Sequence, residues 1–236
     1  MRETTMTDRT TTDSTLNDLD SLIRTRRHFI AQLASGDVQP LARTLLMSTL
    51  VCSAVFGACL GSYRGGLQTL FAMVKFPVVI LLTAAFTVPA LSAMKSALGV
   101  RTSLVRDAAL VLAALALATL VMAAAAPLLL LAITHGIPYH MTILMVVGAG
   151  GFGGLAGLSV LAMGLNDVGF KGRLTLLATT LAVFSLVGGE LAWMLRPYLL
   201  RPSATSTTFL RAAEGTFFDA VSQSYDSARG IYREKE

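Results

Sequence analysis

The chain has 236 residues, of which 54% are hydrophobic and 14% charged, and its formal net charge is +5. A soluble domain carries about 25% charged residues, so this composition excludes an ordinary soluble globular protein and points to lipid. The Lys and Arg residues gather at the termini and in short gaps between apolar runs. There they set orientation in a bilayer and do not form a nucleic-acid surface.

Residues 1–15, MRETTMTDRTTTDST, are Thr-rich and nearly free of apolar side chains, and they are predicted to be disordered. Residues 16–40 form a second unit. Leu16, Leu19, Leu22, Ile23, Phe29, Ile30 and Leu33 recur at helical spacing. Ser14 or Thr15 can cap the start, with Asp18 and Asp20 in the first turns. Arg24, Arg26 and Arg27 supply a basic end. Such a helix either lies on an anionic membrane face or packs on the protein's own loops. Gly36 and Pro40 are expected to end it. No signal peptide is expected, because the first long apolar run begins near Leu45, beyond the usual ~15–30 residues.

Residues 41–198 hold five predicted spans. The first, Leu45–Tyr63, carries Ser53, Gly57 and Gly61 on one close-packing face. Tyr63 and Arg64 mark an interface, and Gly65-Gly66 break the helix. Leu67–Lys75 is either an interfacial helix or an extension of the next span. The second span, Phe76–Met94, has Pro77 in its first turn and a predicted kink at Pro89. A basic gap of Lys95, Arg101 and Arg106 follows, and Arg106-Asp107 is a candidate salt bridge. The third span, Ala108–Thr134, is nearly all Ala and Leu, with a predicted kink at Pro127.

The fourth span, Met141–Leu165, is uncharged and holds the run GAGGFGGLAG. Gly is a poor helix former, so the run is useful only where another backbone comes close. Small residues three apart, Gly150/Gly154 and Gly153/Gly157, let helices meet at short range. This span is therefore expected at the centre of the bundle. The fifth span, Leu174–Leu195, contains Glu190, read as the one acid well inside a span. It should face protein or water, and the bland reading, an anchor near Arg196, is favoured. Trp193, Arg196 and Tyr198 form an interfacial belt. Residues 199–236 are a tail with a possible amphipathic helix.

Counting cations near the spans gives nine on the N-terminal side and five on the other, which favours N-terminus in and C-terminus out. No Walker loop, G-x-S-x-G or H-E-x-x-H is present. The Gly run lacks the preceding strand and later acid of a dinucleotide site. His135 and His140 bracket a turn without Cys, Asp or Glu beside them, so no metal site is read there. Cys52 and Cys59 lie about two turns apart, roughly 10 Å, too far for a mutual disulfide on one helix. No catalytic residue and no cofactor are assigned.

Five spans, a polar N-terminus inside and the segment Val55-Phe56-Gly57-Ala58-Cys59-Leu60-Gly61-Ser62-Tyr63 resemble the Yip-domain family of small membrane proteins. Asp37-Val38-Gln39-Pro40 stands where that family has an acidic-leucine-x-glycine-proline signature, here without the glycine. The resemblance implies a five-helix bundle that organises membranes and recruits partners through its cytosolic N-terminal segment. It carries no site residue over. The expected function is a non-catalytic scaffold, anchor or accessory subunit in a bacterial inner membrane, contacting lipid and protein partners or a second copy. The alternative is a small transporter or channel subunit with kinked helices.

Overall fold

A computed structural model describes residues 17–35, 38–101, 103–166 and 168–195. Among the described residues, all regular structure is helix. A short helix α1 covers residues 17–24, and α2 is Arg26–Ser35. The long helices are α3 (Val38–Gly61), α4 (Leu67–Ala97), α5 (Leu104–Thr134), α6 (Tyr139–Gly164) and α7 (Phe170–Met194). These five are long and apolar enough to cross a membrane. Helices are what a spanning segment must be, because hydrocarbon offers backbone N–H and C=O groups no partner.

The spans are longer than their apolar runs suggest. Pro40 falls in the first turn of α3 and does not end the preceding segment; a first-turn proline loses no helical hydrogen bond. Leu67–Lys75 is the start of α4, which runs unbroken through Pro77 and Pro89. Pro77 is thus interior and not in a first turn. Likewise α5 runs unbroken through Pro127.

Successive long helices are antiparallel. Gly57 of α3 faces Ala72 of α4, Asp107 of α5 meets Ser92 and Lys95 of α4, Gly157 of α6 faces Ala114 of α5, and Gly188 of α7 faces Thr83 of α4. So α3, α5 and α7 run one way, α4 and α6 the other. One end of the bundle, here the α2 end, gathers the α4–α5 and α6–α7 loops.

The central helix is α5, and the Gly-rich α6 is peripheral, against expectation. The alanines and leucines of α5, among them Ala109, Ala113, Ala116 and Leu117, are buried. It packs on α3, α4 and α6. The physical reason is volume. A helix of alanines admits neighbours on every side, whereas α6 uses only one stripe of its glycines. A Cβ on Gly153 or Gly157 would lie 2.7 Å from a carbonyl oxygen of α5, on Ala118 or Ala114 respectively. A Cβ on Gly150 or Gly154 would meet open space.

The α3–α4 hairpin is closed by the same device. A Cβ on Gly57 would lie 2.5 Å from the Ala72 oxygen, and one on Gly61 2.5 Å from Thr69 Cα. The turn needs φ of +79° at Gly65 and +62° at Gly66, a conformation that other residues adopt only with strain. Cys59 donates its thiol to the Ala126 oxygen of α5 at 3.2 Å, joining α3 to the hub.

The N-terminal segment docks on the bundle. Leu22, Phe29 and Leu33 form one stripe and are buried in the same cluster as Leu41, Leu45, Leu91, Leu110 and Leu165. The sequence reading had this segment on a membrane face or on the protein's own loops; its apolar stripe is seated on helices of the bundle. Each such side chain, fully buried from water, contributes about 1.5–3 kcal/mol. Asp18, part-buried beside Thr44, has its carboxyl pKa pushed up by burial, an effect partly offset by the Thr44 hydroxyl.

Two outcomes are expected. Replacing Gly153 with Leu lowers the thermal stability of the delipidated protein in detergent by about 1–3 kcal/mol, the usual cost of overpacking, while Gly154→Leu leaves it unchanged. Because the docked Asp18 binds its proton more readily, docking tightens as pH falls through the carboxylate range and loosens as pH rises. Amide-exchange protection of residues 17–35, corrected for intrinsic rates, follows that trend, and Asp18→Asn removes it.

Candidate functional site

At the α2 end, the end of α6 and the start of α7 stand apart, with α2 packed beside them on α5 and α6. The cleft between them has a volume of ≈ 860 Å³ and is walled by Arg27, Ser159, Asn166, Phe170, Arg173 and Leu177. Arg173 donates from Nη1 to Asn166 Oδ1 at 2.7 Å, and its guanidinium lies 5.8 Å from the centre of the Phe170 ring. Asn166 and Phe170 thus hold the guanidinium at the cleft wall. Arg26 reaches Ser159 from behind, Nη1 donating to Oγ at 3.0 Å. Its Nε is buried without a hydrogen-bond partner. Among the described residues no carboxylate pairs with Arg26, Arg27 or Arg173.

Farther along α7 lies a second, apolar groove of ≈ 300 Å³ between α6 and α7. Gly150, Gly154 and Leu158 of α6 face Thr180, Leu181 and Phe184 of α7 across it. Its floor is made by α4 and α5, with Phe76 and Met122. Thr180 is buried, and its hydroxyl has no hydrogen-bond partner. By contrast Thr83, Thr87 and Thr119 return their hydroxyls to backbone carbonyls one turn back, at 2.7–2.8 Å, which satisfies them without a neighbour.

A second polar cluster lies at the α2 end between α4 and α5. Asp107 is 1% exposed and accepts from Ser92 Oγ and Lys95 Nζ. The sequence reading paired Asp107 with Arg106, which is exposed instead. Neighbours in sequence point to different faces of a helix, so Arg106 turns outward. Lys75, 1% exposed within α4, is the ionisable side chain that sequence reasoning missed, because its place at the end of a short apolar stretch read as a boundary. The Lys95–Asp107 pair did leave a signal: opposite charges bracketing a short loop between two spans.

The remaining sequence candidates scatter. Gly57 and Gly61 face α4, and Gly153 and Gly157 face α5, whereas Gly150 and Gly154 line the groove. Glu190 is half-buried near the end of α7, and Tyr63 is half-buried in the α3–α4 turn, both at the far end. Arg24 is exposed and pairs with Asp20 at 2.8 Å. Arg26 is not a surface cation, because the apolar stripe it belongs to turns it inward to Ser159. The Trp193 side chain, Arg196, Tyr198 and the C-terminal tail lie outside the described residues.

Removing the carboxylate at Asp107 leaves Lys95 without its partner in a largely enclosed site. Asp107→Ala is expected to cost on the order of 3 kcal/mol, read as a lowered midpoint of thermal unfolding. The double replacement Asp107→Leu with Lys95→Met recovers most of it, since an apolar pair needs no desolvation.

Comparison with family models, curated proteins and solved structures yields no match for this chain.

Proposed function

We propose that the chain is a non-catalytic membrane scaffold or anchor, gripping a partner through the outer face of α1 and α2. The observation that carries this reading is the docking of that segment. Its apolar stripe of Leu22, Phe29 and Leu33 is buried, and its polar face, with Asp20, Arg24, His28 and Gln32, is exposed. A helix already fixed in place has less ordering entropy to lose on binding than a free tail does. Nine cations, Arg24, Arg26, Arg27, Arg43, Lys95, Arg101, Arg106, Lys171 and Arg173, sit on elements at the α2 end. That supports an N-terminus-in placement in a bacterial inner membrane, with the polar face toward the cytoplasm.

A small transporter or channel subunit is the second reading. It is favoured by Lys75 and Asp107, two ionisable side chains enclosed among spanning helices, since such residues commonly mark ion or substrate paths.

The deciding experiment is mild-detergent purification of the full chain beside Arg24→Glu/His28→Glu and Phe29→Ser variants. The scaffold reading expects a stoichiometric partner with the unaltered chain, lost in both variants while the bundle stays folded. Recovery of the chain alone, together with solute flux in liposomes that Lys75→Met abolishes, would overturn it in favour of transport.

A further inference from the structure

We infer that the α6–α7 crevice binds an anionic phospholipid from the leaflet on the α2 side, with the phosphate at Arg27 and Arg173 and one acyl chain along the groove. The two cavities follow one another along a single face of α7. On α7 the cleft is lined by Phe170, Arg173 and Leu177, and the groove begins one turn later at Thr180 and continues to Phe184. On α6 and just past its end the cleft takes Ser159, Met163 and Asn166 and the groove takes Gly150, Gly154 and Leu158, so α7 is the helix that carries one face from cleft to groove. From Arg173 to Phe184 the path runs three turns of α7, about 16 Å by helical rise. That is half of a ~30 Å hydrocarbon core, the depth of a single leaflet.

The chemistry changes along this path as it does along a lipid. At the α2 end stand two arginines at the wall and a third behind it at Ser159, with no carboxylate pairing any of them among the described residues. Guanidinium groups match phosphate oxygens in geometry and charge. Basic pockets between spanning helices are a recognised form of headgroup site. Beyond Leu177 the lining is mainly Leu, Ala, Phe, Met and Gly, with Thr87 and Thr119 turning their hydroxyls back to their own helices, which suits a hydrocarbon chain.

The cations at one end and the leaflet-deep apolar run beyond them select a lipid over a protein helix as the occupant. Gly150 and Gly154 have open space where a Cβ would stand, so the groove wall there is bare backbone. The Thr180 hydroxyl, without a partner, sits where the headgroup region gives way to the chain.

The test uses the full chain, delipidated in detergent and titrated with dioleoyl-phosphatidylglycerol, dioleoyl-phosphatidylcholine or inorganic phosphate. Binding is read by the rise in unfolding temperature and by native mass spectrometry. Phosphatidylglycerol is expected to act at about tenfold lower concentration than phosphatidylcholine, given the contribution of each arginine near an anionic headgroup. Arg27→Gln with Arg173→Gln removes that preference. Gly154→Leu, whose Cβ meets no neighbouring atom, projects its side chain into the groove and weakens binding of both lipids. Equal action of the two lipids on the unaltered chain, full binding by Gly154→Leu, or equal stabilisation by inorganic phosphate would overturn the assignment. Should the arginine variant fail to fold, Gly154→Leu and the lipid comparison still decide.

Discussion

Between helices in lipid there is no hydrophobic force, because acyl chains are as apolar as leucine. What remains is the gain from bringing backbones close together, and this structure depends on it at two seams. At α3–α4 the glycines are Gly57 and Gly61; at α5–α6 they are Gly153 and Gly157, laid against Ala118 and Ala114. In both seams the glycine Cα sits where a side chain would collide with a carbonyl. The alanine-rich α5 can therefore take neighbours on several sides, and the other helices are arranged around it. Where close approach is missing, between α6 and α7, the helices part and the crevice opens.

Much of the architecture was legible in the residues. The number of spans, their order and the breaks at Gly65-Gly66 and at His135–Pro138 follow from apolar run length and turn chemistry. Span ends were read too short, because polar residues such as Gln68, Lys75 and Asp107 look like boundaries when interiors are assumed apolar. They are buried inside the ends of helices that continue past them. The hub was misplaced for a related reason. A run of glycines says that close approach is possible, but which stripe is used depends on the partner's surface. Gly153 and Gly154 are adjacent, and only one of them meets a helix.

The crevice was the least legible part. Arg26 and Arg27 lie about 150 residues from Arg173 in the chain, and nothing local in the sequence joins the pair to it. They meet because Leu22, Phe29 and Leu33 pull the segment onto the end of the bundle. Apolar burial from water thus places the cations, and a packing defect between two helices supplies the space beside them. The polar atoms that stay inside are mostly satisfied locally, by one-turn hydroxyl bonds or by the Asp107, Ser92 and Lys95 cluster. Arg26 Nε and the Thr180 hydroxyl are exceptions; Arg26 binds Ser159 of the cleft wall, and Thr180 lines the groove.

Only residues 36 and 37 separate α2 from α3. A segment tethered that closely is presented to its docking site at an effective concentration in the millimolar range. An outside helix competing for the same apolar seat must overcome that local excess. The seat is therefore effectively reserved for the chain's own segment, and exchange with the surroundings is channelled to the segment's outer face.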